Sequence, residues 1–178
     1  MIMQKYVAFL RAINVGGHTV KMDQLRTLFE ELGFSKVETF IASGNVIFET
    51  SIKNTVTLEK KIKEHLKNSL GYEVDTFLRT IQEVAELEPC SPFKADIKEK
   101  DVYIGFLHET PSPAAAAALM ALRNKLNDFA IMDREVYWLR LNRDDSIFLK
   151  NSLEKILKMS ATVRNITTIK KLYEKHQS

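Results

Sequence analysis

Tyr6-Val7-Ala8-Phe9-Leu10-Arg11-Ala12-Ile13 is a nearly continuous apolar run, short and rich in residues that favour extended backbone. Such a run reads as a central strand buried on both faces. Downstream, Met22, Leu25, Leu28, Phe29 and Leu32 recur at helical spacing, and Gly33 follows as a left-handed stop. Val37, Thr39 and Ile41 then alternate, Ser43-Gly44-Asn45 supplies turn chemistry, and Val46-Ile47-Phe48 resumes extended sequence, which predicts a hairpin. Asn54 suits the cap of a second helix carrying Leu58, Ile62 and Leu66 and closed by Gly71. Tyr72 to Leu78 reads as another strand. Thr80-Ile81-Gln82-Glu83 is a capping box that opens a short helix ending before Pro89.

That order, β-α-β-β-α-β, is the ferredoxin-like plan. Pro89-Cys90-Ser91-Pro92 marks a boundary, with one domain over residues 1–89 and a second over 90–178. In the second, Val102 to Leu107 is strand-like, and Ser112-Pro113 starts a helix through Ala114–Ala118, Leu119, Leu122 and Leu126. Phe129 to Met132 and Val136 to Leu141 flank Asp133-Arg134 as a hairpin, and Leu153, Ile156 and Leu157 mark a further helix. The last strand of the plan is missing, and Thr162 to His176 reads as a tail helix expected to pack back on the first half. The fold class is therefore α+β: two tandem ferredoxin-like (α/β plait) domains that share little residue identity, with a C-terminal helix.

A chain of 178 residues, 45% hydrophobic and 28% charged, can bury a core without help from metal or disulfide. Cys90 stands alone, which excludes an internal disulfide and a cysteine-based zinc site. No stretch approaches the ~18 apolar residues of a membrane span. Met1 to Tyr6 lacks the basic flank and cleavage site of a signal peptide, so the expected location is cytoplasmic. Residues 1–89 carry 11 Lys+Arg against 12 Asp+Glu, residues 90–149 carry 8 against 9, and residues 150–178 carry 7 against 2. The positive excess thus sits at the C-terminal end, as a solvated helix face or an attractor for phosphate.

Three polar segments stand where binding sites form, at the ends of strands and helices. In Arg11-Ala12-Ile13-Asn14-Val15-Gly16-Gly17-His18 a strand runs into a glycine pair whose N–H groups could hold an anion, although a tight turn explains Gly16 and Gly17 equally well. Arg11 is a permanent charge in an apolar strand and needs a carboxylate such as Glu38 or Asp23, several carbonyls or an anionic ligand. Ser43-Gly44-Asn45 places a hydroxyl, a flexible backbone and an amide on one hairpin tip, although Gly44 and Asn45 also suit a turn. Thr162-Val163-Arg164-Asn165 places an arginine in the first turn of the tail helix, if Thr162 is its cap.

Metal and nucleophile readings are poor. His18, His65, His108 and His176 lack ligand spacing, Ser43 lies in no nucleophile elbow, and Asp144-Asp145 is a single carboxylate pair. No metal, cofactor or catalytic residue is assigned.

Leu10-Arg11-x-x-Asn14-Val15-Gly16-Gly17, Lys21-Met22, Gly33-Phe34, Ser43-Gly44-Asn45-Val46-x-Phe48 and Thr162-x-Arg164-Asn165-x-x-Thr168 together resemble the bacterial domain of unknown function 1697. The resemblance runs essentially end to end, with departures at Val163, Ile166 and Thr167. It implies two tandem ferredoxin-like domains in a cytoplasmic protein and brings no activity.

The leading functional expectation is a small anionic ligand, phosphate or nucleotide, bound between the two halves by Arg11, Asn14, Gly16, Gly17, Ser43, Gly44, Asn45, Arg164 and Asn165. The alternatives are RNA or single-stranded nucleic-acid binding, with Phe48, Tyr103 and Phe106 as the nearest stacking candidates, and a protein-interaction role through edge strands.

Overall fold

The computed structural model describes residues 1–41, 44–87, 92–93, 97–141 and 152–177. Ser43, the Pro89–Ser91 boundary with Cys90, and Asp144-Asp145 lie outside those residues. The chain divides into two compact units, Met1–Ala85 with His176–Ser178, and Glu86–Lys175. It runs through β1 (Gln4–Arg11), α1 (Met22–Glu31), β2 (Ser35–Phe40), β3 (Asn45–Thr50), α2 (Thr55–Leu70), β4 (Asp75–Thr80) and α3 (Ile81–Leu87). After a 3-10 turn at Glu99–Asp101 come β5 (Val102–Leu107), α4 (Pro113–Met120), β6 (Asn127–Met132), β7 (Glu135–Arg140), α5 (Ser152–Leu157), β8 (Ala161–Asn165) and α6 (Ile166–His176). Each unit holds one four-stranded antiparallel sheet, ordered β2-β3-β1-β4 and β6-β7-β5-β8, so the α+β class and two successive plaits stand.

Local chemistry explains the element ends. Asn54 Oδ1 accepts from Thr57 N at 2.9 Å, Gly71 closes α2 at φ +82°, and Ser112 Oγ accepts from Ala115 N at 3.2 Å. Thr80 and Glu83 form the reciprocal box, at 2.7 and 3.1 Å. Tyr6, Ala8 and Leu10 turn one face of β1 into a core with Leu25, Phe29, Leu58 and Ile62. Leu107, Val136 and Trp138 do the same in the second unit with Leu119, Leu153 and Leu157.

Four expectations change. The first strand ends at Arg11, because Ala12 turns to φ +60°. The fourth begins at Asp75, not Tyr72. Helix α4 stops at Met120, leaving Leu122 and Leu126 exposed, since Asn124 Oδ1 takes the Leu126 and Asn127 N–H groups into a turn. The strand read as missing is β8, which occupies the residues expected to open the tail helix. The cap of α6 is Asn165, whose Oδ1 accepts from Thr167 N at 3.0 Å and Thr167 Oγ1 at 2.6 Å.

The strand registers reveal a residue-level repeat. Tyr6, Val7 and Ala8 pair with Thr80, Arg79 and Leu78, as Tyr103, Ile104 and Gly105 pair with Asn165, Arg164 and Val163. Tyr6 also faces Phe48 as Tyr103 faces Trp138. Aligned this way, Tyr6-Val7-Ala8-Phe9-Leu10-Arg11 matches Tyr103-Ile104-Gly105-Phe106-Leu107-His108. Arg79-Thr80-Ile81-x-x-Val84-x-x-Leu87 likewise matches Arg164-Asn165-Ile166-x-x-Ile169-x-x-Leu172. The two halves are internal repeats with conserved spacing at both junctions.

Every edge strand carries a device that occupies or distorts its ladder. On β4, Leu78 N donates to Glu59 Oε1 of α2 at 3.0 Å, and on β8 Ala161 N donates to Glu154 Oε1 of α5 at 2.9 Å. On β6, Phe129 N turns to Asp128 Oδ1 at 2.8 Å. β2 is bulged between Ser35 and Glu38, with Lys36 at φ +49°.

Candidate functional site

β1 delivers Arg11 to the rim of the first sheet, opposite Asp75 of β4. Beyond it the chain leaves the ladder for residues 12–21, held at several points. Ile13 and Val20 are buried posts, and Val20 N donates to Asn14 Oδ1 at 2.7 Å, tying the loop across its base. Tyr72 OH donates to Ile13 O at 2.8 Å, and the His18 ring stacks on Tyr72 with centroids 3.9 Å apart. Between the posts, Asn14 to Thr19 are exposed. Gly16 and Gly17 take φ +63° and +85°, and a Cβ on either would meet nothing within 4 Å. Their glycine character therefore answers to backbone conformation rather than to crowding.

Gly44 answers to crowding as well. It sits at φ +80°, its carbonyl accepts from Leu10 N at 2.8 Å, and it is packed under the loop against Ile13. The structure thus brings Gly44 and Asn45 of the second polar segment to the rim of the first sheet where the first segment begins. Asn45 is buried and donates from Nδ2 to Phe40 O at 3.0 Å, holding the hairpin.

The third segment belongs to the second unit. Arg164 lies in β8, buried, and donates to Thr162 Oγ1 at 2.8 Å and Val163 O at 3.0 Å. Burial pushes its guanidinium down to about 10. Its counterpart in the repeat is Arg79, buried and donating to Leu78 O at 2.8 Å, rather than Arg11. Asn165 spends its oxygen on the α6 cap and donates from Nδ2 to Lys100 O at 2.8 Å.

Sequence reasoning missed Arg79, Tyr72 and the stacked face of His18. The Arg-Thr-Ile and Arg-Asn-Ile junctions were the available signal for Arg79. The aromatic residues considered for stacking nucleic acid serve the interior: Phe48 stacks on Phe34 at 4.5 Å, Tyr103 leans on Trp138 at 5.7 Å, and Phe106 is fully buried. Among the described residues, no three His, Cys, Asp or Glu side chains form a group that could hold a metal ion. Nor is any described helix long and apolar enough to cross a membrane.

Fold and rim together define a tandem plait protein with one elaborated strand-to-helix loop. Residues 3–137 match the model of a family described as a protein of unknown function, DUF1697, and the chain belongs to that family. It is similar in structure to the conserved bacterial protein SP0830 from Streptococcus pneumoniae, with a TM-score of 0.76 at 22% identity. The match covers 99% of this chain and 100% of that one. At that identity the likeness is one of fold. No curated protein matches the chain.

Proposed function

We propose that the first unit binds a small phosphate-bearing anion on the loop between β1 and α1. The observation that carries this reading is the difference between the repeats. The same two elements are joined by residues 12–21 in the first unit and by residues 108–112 in the second. A plait closes with the shorter connection, so the exposed stretch Asn14 to Thr19, between the buried Ile13 and Val20, is more than closure requires. Ordering an exposed loop costs roughly 1–2 kcal/mol per residue in backbone entropy, and surface loops held by a rigid scaffold are where binding residues concentrate.

The loop's chemistry suits an anion. Residues 12–21 contain no carboxylate, Arg11 stands at their root, and His18 and Lys21 lie within them. Gly16 and Gly17 have no side chain to keep an anion from the backbone N–H groups. The matching rim of the second unit is different in kind. Glu109 lies in its connection, and Thr110 Oγ1 donates to Asp133 Oδ1 at 2.7 Å.

Thermal unfolding with inorganic phosphate, pyrophosphate and adenosine monophosphate tests the reading. Stabilisation that grows with concentration and disappears in Arg11→Ala is the expected outcome. No stabilisation by any of the three, or a shift unchanged in Arg11→Ala, contradicts it.

A further inference from the structure

The geometry points to a nucleotide as the ligand of this loop, its base stacked on the imidazole of His18. The inference rests on the anion-binding reading above and names the ligand class within it. His18 is exposed, yet its ring lies on Tyr72 at 3.9 Å with the planes 20° apart. Tyr72 is fixed in turn by its hydrogen bond to Ile13 O. An imidazole laid flat on a phenol presents its other face outward. A planar face that is already ordered loses little entropy when a base settles on it, and base stacking on such faces is tolerant of base identity.

Position adds to chemistry. His18 follows Gly16-Gly17 directly, and its own N–H is donated to Val15 O at 3.2 Å, which turns the chain back at that point. A nucleoside monophosphate can then set its phosphate at the glycine pair and Arg11 while its base covers His18. Bare phosphate would leave the outward face of the ring unused, whereas a base would cover it.

Calorimetric titration with adenosine monophosphate and with ribose 5-phosphate isolates the base, since the two share sugar and phosphate. The monophosphate is expected to bind roughly five- to a hundredfold more tightly. His18→Ala should bring the ratio close to one, and His18→Phe, which keeps a flat face, should retain it. If the stack only seats the loop, His18→Ala weakens both ligands equally, and the inference is overturned. Equal affinity of the two ligands for the unaltered chain also overturns it while leaving the anion site standing. Binding of neither ligand removes the site and the inference together.

Discussion

A Cβ atom on Gly44 would stand 2.8 Å from Cγ2 of Ile13 and 3.1 Å from Cβ of Leu10. The hairpin tip is therefore cut away to seat the loop. In the second unit Arg134 N-terminally flanks β7 as Gly44 flanks β3, and its carbonyl accepts from Leu107 N at 2.9 Å as Gly44 O accepts from Leu10 N. With no long loop to receive, that position carries a full side chain. Gly44 and the loop that Ile13 roots are thus two parts of one packing arrangement.

Gly44→Ala should destabilise the chain by about 2–4 kcal/mol, combining overpacking with a left-handed backbone that alanine disfavours. Gly16→Ala, which meets open space, should cost only about 1–2 kcal/mol. In a double-mutant cycle by urea denaturation, Ile13→Ala should recover part of the Gly44→Ala loss. Strict additivity would show that the two residues do not share the contact.

Tyr72→Phe removes the bond to Ile13 O but keeps the ring. A loss of about 1 kcal/mol is expected, with faster amide exchange confined to the loop. Unchanged exchange over residues 13–20 would show that the phenol does not hold the loop.

Arg164 carries a pH signature. Because burial lowers its pKa to about 10, well below the ordinary guanidinium range, the unfolded chain binds more protons than the folded one from that value up to the ordinary one. Its contribution to stability is flat below that window and rises with pH within it. Relative to Arg164→Met, the unaltered chain should gain about 1 kcal/mol between pH 9 and pH 11. A difference that stays constant across that interval contradicts the assignment.

The edge carboxylates make a prediction about association. Glu59→Ala and Glu154→Ala each leave a strand N–H without its acceptor, at a cost of about 1–3 kcal/mol. Light scattering should also show association that increases with concentration. Variants that scatter as the unaltered chain does would show that the carboxylates do not guard the edges.

Much of the architecture was legible because its signals are local. The periodic leucines of α1 and α2, the Asn54 cap, the Ser112-Pro113 start and the Thr80–Glu83 box each act within a few residues, and all four hold. The same periodicity carried on to Leu122 and Leu126 overran α4. β8 escaped because it has five residues, one of them charged, and abuts a helix, so Thr162 resembled a cap that Asn165 provides. The tandem order of elements was legible, but the residue-level match between the halves escaped because connections of unequal length shift the matched residues out of constant spacing. Strand pairing restores their alignment. At the site, Arg11, Gly16, Gly17 and Gly44 could be picked out by residue type. The roles of Tyr72 and of the His18 ring depend on the turn after α2 meeting the loop after β1, a contact that no local pattern encodes.

The most direct measurement is a map of backbone amide shifts as adenosine monophosphate is titrated into the full chain. The account predicts saturable shifts over residues 11–21 and at Gly44 and Asn45, with residues 108–112 of the second unit unmoved. Shifts centred on residues 108–112 or spread along the lysines of α6, or no saturable shifts at all, would contradict it.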